Sequence, residues 1–148
     1  MPGVSDRSNR ETIDEYWRAV NAGDWPALAK LLDRDYVFEM PQSGERVRGQ
    51  QNFHEMHQNY PAGLPDIDTH RITGSPDRWV TTPSFTVLKI SGMGDDYLSE
   101  SRVTYPDGSV WHAVDIFHFR DGKIRRQVAY FAPTLEPQEW RARWVERF

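Results

Sequence analysis

The chain has 148 residues, a formal net charge of −4 and no cysteine, which excludes disulfides, a thiol nucleophile and cysteine-held metals and fits one domain burying roughly 70% of its unfolded surface. No apolar run approaches the ~20 residues of a membrane-spanning helix, the opening MPGVSDRSNR has no apolar signal segment, and no basic cluster is interleaved with aromatics. Neither a membrane nor nucleic acid is therefore an expected partner, and a cytoplasmic protein is the natural reading.

Residues 1–8 read as a flexible tail and 9–148 as a single domain. Ser8-x-x-Glu11 is a capping box that should open a helix, with Ile13, Tyr16, Trp17 and Val20 along its apolar face. Gly23 stops that helix, and Asp24 caps a second with Pro26 in its first turn. Leu28, Leu31 and Leu32 form its buried stripe. Residues 36–40 read as a short strand ended by Pro41. A third helix follows Gly49 and turns Phe53, Met56 and Tyr60 inward. After Pro61 the period becomes two, giving strands at 67–73, 84–91, 97–105, 110–120 and 123–131. Gly92-Met93-Gly94-Asp95, Pro106-Asp107-Gly108 and Asp121-Gly122 are turn signals between them. A short helix from near Pro137 closes the chain, with Trp140, Trp144 and Phe148 one turn apart as a lid or docking stripe. Helices first and strands after predict an α+β fold, helices packed on one face of a curved antiparallel sheet.

Six Trp, six Tyr and seven Phe must be buried in a core, a pocket or an interface. Among them, the strand 110–120 carries one carboxylate, Asp115. Alternation puts Trp111, Ala113, Asp115, Phe117 and Phe119 on one face, and His112, Val114, Ile116 and His118 on the other. Both faces are apolar, which predicts helices over the Trp111 and Asp115 face and a second copy of the chain over the other. Burial would raise the Asp115 pKa and leave a protonated acid able to donate to a ligand oxygen. Alternatively Asp115 accepts bonds from buried neighbours or pairs with Arg102. Glu100, Arg102 and Thr104 share a face that is either pocket or surface. If Gln127, Ala129 and Phe131 alternate inward, Gln127 is a polar pocket contact; otherwise it is an ordinary exposed residue. His54-Glu55-Met56-His57 has i, i+3 spacing and not the HExxH pattern, so exposed polar helix residues, and no metal site, are expected. No Gly-rich phosphate loop follows a strand, so no nucleotide cofactor is expected either.

AVNAGDWPALAKLLDRDYVFEMPQSGERVRG and the later VDIFHFRDGKI resemble the nuclear transport factor 2-like superfamily, nearest its SnoaL-like and ketosteroid-isomerase branches. The most specific pieces are Asn21-Ala22-Gly23-Asp24 and Phe117-x-Phe119-x-Asp121-Gly122-Lys123-Ile124. The resemblance implies a cystatin-like cone of three N-terminal helices wrapped by a bent sheet, a deep pocket, and a homodimer formed through the sheet face. By position it implies that Tyr16 and a protonated Asp115 hold a substrate oxygen. The family's base, an Asp before a Pro on the first strand, is replaced here by Met40 before Pro41. Glu39 is adjacent but points to the other face, so the proton carrier is either absent or displaced, in the latter case to Glu39, Glu100 or a mobile histidine. The epoxide-hydrolase branch needs an Arg and two Asp. Arg102 matches the Arg, but Thr104 and Ala129 stand where the acids should be, which argues against that chemistry. The expected pocket is lined by Tyr16, Trp17, Phe38, Met40, Trp111, Asp115, Phe117 and Phe131, with Arg102 and Gln127 as polar contacts. It suits a small hydrophobic molecule bearing a carbonyl or hydroxyl. The activity expected is isomerase, cyclase or dehydratase; the alternative is a non-catalytic binding or dimerisation domain.

Overall fold

The computed structural model describes residues 2–59, 84–105 and 108–148. The strand expected at 67–73, Tyr60, and Pro106 and Asp107 of one turn lie outside the described residues. Helix α1 runs Pro2–Ala22, so Ser8 sits inside the helix and not at its cap, and its carbonyl accepts from Thr12 Oγ1 at 2.9 Å. A proline suits a first helical turn, where its missing N–H costs nothing. Gly23 (φ 66°) ends α1 in the left-handed region. Asp24 caps helix α2, Trp25–Ala29, accepting from the Ala27 N–H at 3.1 Å. That helix is only five residues long, and Leu32 opens the next strand instead of extending its stripe.

Strand β1 runs Leu32–Met40, longer than expected, and turns into β2, Glu45–Arg48, a strand the period-two pattern did not reveal. Helix α3 spans Gly49–Gln58. Strands β3 (Ser84–Met93), β4 (Asp96–Thr104), β5 (Val110–Arg120) and β6 (Lys123–Pro133) follow as a meander. One curved six-stranded sheet results, in the order β2-β1-β6-β5-β4-β3. Every pairing is antiparallel except β1 with β6, which is parallel. The whole meander separates β1 from β6, so no tight turn dictates their relative direction. Two turns depend on special backbone. Asp121 (φ 51°) and Gly122 (φ 77°) form the two-residue, positive-φ loop that matches strand twist. Gly92 has φ 142°, and a Cβ there would lie 2.3 Å from the Asp96 carbonyl oxygen.

Burial alternates strictly along β4 and over most of β5, so the sheet has an inner and an outer face. Inward come Tyr97, Ser99, Ser101 and Val103 from β4, and Ala113, Asp115, Phe117 and Phe119 from β5. Tyr16 and Trp17 of α1 pack on Phe117, with ring centroids 5.4 Å and 6.3 Å away. Phe53 of α3 packs on Tyr36 and Phe38 of β1 at 5.1 Å and 5.2 Å. Each such ring contributes roughly 1.5–3 kcal/mol by leaving water. On the outer face Leu98, Val114 and Tyr130 stay exposed. The chain closes in a short 3₁₀ helix, Glu139–Trp144. Trp140, Trp144 and Phe148 are exposed there, so among the described residues this stripe covers no core, contrary to the lid half of the lid-or-docking expectation. No described helix is long and apolar enough to cross a membrane.

Candidate functional site

Between the helices and the inner face of the sheet lies a cavity of about 410 Å³. Tyr16 and Trp17 of α1, Phe38 and Met40 of β1, Asp115 of β5, and Gln127 and Phe131 of β6 all line it. The wall is mostly apolar, and its polar groups converge. Asp115 is 1% exposed. Its Oδ1 accepts from Gln127 Nε2 at 2.8 Å, and Gln127 Oε1 accepts from the Tyr36 hydroxyl at 2.7 Å. The Tyr16 hydroxyl sits beside the same group, close enough to Gln127 and Tyr36 to feel both. Asp115 Oδ2 is buried with no partner among the described residues.

Burial drives the electrostatics of this group. It pushes the Asp115 carboxyl up to about 7, with the Gln127 hydrogen bond pulling partway back. Burial, and then the charge of Asp115, pushes the Tyr16 hydroxyl well above its ordinary range, with Gln127 and Tyr36 pulling partway back. Tyr36 is raised by burial, then by Tyr16 and Asp115. Both phenols therefore stay protonated donors. Below about pH 7 the Asp115 proton has a natural seat on the unpaired Oδ2, since Oδ1 already accepts a bond. Two O–H donors in a mostly apolar hollow are suited to holding one ligand oxygen.

Five residues expected at the site fall elsewhere. Arg102 is exposed, because Ser99 and Ser101 take the inward positions of β4. It pairs with Thr86 and His112 on the outer face, as Glu100 does with Val114, so neither reaches Asp115. Glu39 is not on the cavity wall; Arg46 Nη2 holds it at 2.6 Å, and Arg126 Nε bonds its other oxygen. Hydrogen bonds from Arg126 and Arg46 keep its carboxyl below the ordinary range. Strand alternation turned it outward and the two guanidiniums retain it, so it is no base for this cavity. The Trp111 indole donates to Ser109 Oγ at 2.9 Å and packs edge-on to Tyr105, which lines the cavity in its place. Phe117 is fully buried behind Tyr16 and supports the wall without forming it.

Other residues at the site carried little sequence signal. Tyr36 alternates with Phe38 and Met40, which could have revealed it. Ser99 accepts from Trp17 Nε1 at 3.1 Å and fixes that indole. His54 and His57 of α3 also line the cavity. The His54 ring stacks on Trp25 with centroids 4.1 Å apart. His57 Nδ1 lies 2.8 Å from the Phe53 carbonyl oxygen. The i, i+4 pairing of Phe53 and His57 was the available clue that both face inward.

A SnoaL-like domain model matches residues 13–127. The chain is similar in structure to a nuclear transport factor 2-like protein of unknown function from Burkholderia xenovorans LB400, at 30% identity, with 96% of each chain covered and a TM-score of 0.73. It is also similar to a protein from Kribbella flavida DSM 17836 assigned as a ketosteroid isomerase, at 21% identity, covering 97% of this chain and 92% of that one, TM-score 0.75. A third similar structure, assigned as a polyketide cyclase, comes from Sinorhizobium meliloti, at 19% identity, covering 81% and 94%, TM-score 0.61. These last two likenesses speak to the fold alone. No curated protein matches.

Proposed function

We propose, from the premise that the chain belongs to the SnoaL-like domain family, that it binds a small hydrophobic molecule by a carbonyl or hydroxyl oxygen held between Tyr16 and Asp115. The carrying observation is the unpaired, buried Oδ2 of Asp115, a residue that lines a mostly apolar cavity. A buried polar atom without a partner costs about 1–3 kcal/mol, and a ligand oxygen in the cavity would recover it. Donors aimed at one oxygen stabilise a developing enolate more than a neutral carbonyl. The site therefore suits proton-transfer chemistry of the isomerase, cyclase or dehydratase kind. The outer sheet face, with Leu98, Val114 and Tyr130 exposed, would be covered by a second copy of the chain.

The test is a comparison of two fluorescent probes of one shape. 2-Naphthol offers the oxygen and naphthalene does not. 2-Naphthol is expected to bind about tenfold more tightly, the worth of one to two net hydrogen bonds. Equal affinities, or no binding of either, would refute the assignment. A second reading, binding without catalysis, is favoured by Met40, an apolar side chain where the family's base would stand.

A further inference from the structure

Resting on that reading, we infer that His57 is the catalytic base of this cavity, which makes its substrate an enolisable ketone with an acidic C–H beside the carbonyl. The cavity wall offers few choices. Its titratable groups among the described residues are Tyr16, Asp24, His54, His57, Tyr105 and Asp115. Tyr16 and Asp115 already serve the oxygen. Asp24 is exposed and its Oδ1 is spent capping α2. The His54 ring lies flat on Trp25, which leaves one face of that imidazole covered.

His57 is arranged differently. A carbonyl oxygen can only accept, so the 2.8 Å contact with Phe53 requires the proton on Nδ1. The ring also meets the Phe53 phenyl edge-on, with centroids 4.4 Å apart, which fixes its plane. Burial favours the neutral imidazole, against the Phe53 hydrogen bond and with help from His54 nearby. In a neutral ring with Nδ1 protonated, Nε2 must hold the lone pair. A neutral, oriented acceptor lining the same cavity as two oxygen-binding donors is the missing half of a proton-transfer site.

The step balances without any further reactant. The C–H bond beside the carbonyl breaks and an N–H bond forms at Nε2. The released electron pair becomes a carbon–carbon double bond, and the carbonyl oxygen takes the negative charge facing Tyr16 and Asp115. The imidazolium then returns its proton to the same carbon, or to the far end of a conjugated system, and the carbonyl re-forms. Met40 at the family's base position is then compensated from α3.

The experiment uses 2-tetralone in deuterated buffer, with exchange of its α-hydrogens followed by proton NMR against the buffer rate. The wild-type protein is expected to accelerate exchange. His57→Gln is expected to slow it about a hundredfold or more, the usual worth of a general base, while 2-naphthol affinity stays within about threefold. A His57→Gln protein that exchanges at the wild-type rate would overturn the assignment. So would a wild-type protein that binds 2-naphthol and leaves 2-tetralone unexchanged, a result that keeps the oxygen site intact and removes only the base. Failure to bind 2-naphthol at all brings down both readings. Should His57→Gln fold poorly, nitrogen-15 NMR of the wild-type imidazole decides instead. Nδ1–H with a bare Nε2 supports the role, and Nε2–H overturns it.

Discussion

Replacing Asp115 with Asn removes the charge of the carboxyl and keeps its shape. Asn retains an oxygen for the 2.8 Å bond from Gln127 and sets an amide nitrogen where Oδ2 now lies without a partner. In the fold the wild-type carboxyl gives up its proton at about 7, against an ordinary 3.8. The folded state thus binds this proton more tightly than the unfolded chain. Stability from this group is full below about pH 4, declines as pH rises toward about 7, and is gone above that. A difference in proton affinity of roughly a thousandfold is worth about 4 kcal/mol. Asn cannot ionise. Asp115→Asn should therefore match the wild type near pH 4 and exceed its stability by up to about 4 kcal/mol near pH 8. Urea unfolding across that range measures the gap, and subtracting one protein from the other cancels titrations the two share. A gap that stays constant with pH would refute the buried-acid reasoning. A gap that narrows as pH rises would mean that the carboxylate, not the acid, is the form the fold holds.

Tyr16→Phe keeps the ring contacts with Trp17 and Phe117 and should weaken 2-naphthol about tenfold by fluorescence titration, the worth of one hydrogen bond to the ligand. Unchanged affinity would remove this phenol from the oxygen site. Glu39→Gln should leave 2-naphthol binding as it is and lower stability at neutral pH. Arg126 and Arg46 hold the Glu39 carboxyl below its ordinary range, so its stabilisation is present above that range and lost on acidification. Thermal melts of the two proteins should accordingly converge as pH falls below about 4. Gly92→Ala should cost about 2 kcal/mol or more in urea unfolding, because the added Cβ meets the Asp96 carbonyl oxygen and the Tyr97 Cα and φ is 142°. A near-neutral result there would show that the β3–β4 turn relaxes freely.

The architecture was legible because each of its main signals is local. Gly23 and Asp24 mark one helix end and the next helix start, and Asp121-Gly122 specifies a hairpin by its own backbone needs. The faces of β5 followed from parity within one strand. Ser8 misled because a capping pattern is only a cap when the preceding residue is not helical, and here helix already runs from Pro2. Strand β2 was hidden because four residues, Glu45–Arg48, are too few to display a period. The errors at the site have another origin. Placing Arg102 inside required the relative parity of β4 and β5, which the register sets by pairing Ser99 with Asp115. One strand's sequence does not contain its neighbour's register.

His57 shows where a pattern within one element stops being informative. Paired with His54 at i, i+3, it resembled two polar residues on an exposed helix. Paired with Phe53 at i, i+4, it shares the face that α3 turns toward the sheet, and the Phe53 carbonyl then orients its ring. Which pairing governs depends on how the helix is rolled against β1, a fact decided by Tyr36 and Phe38 packing on Phe53. Met40 and His57 line the same cavity. A base lost from a strand can be regained from the helix beside it only if that helix also fixes the tautomer. An imidazole with Nδ1 free would offer either nitrogen, and half of its orientations would present a donor to a carbon acid. The i−4 carbonyl removes that ambiguity at the cost of no additional residue, since Phe53 is already required by the core.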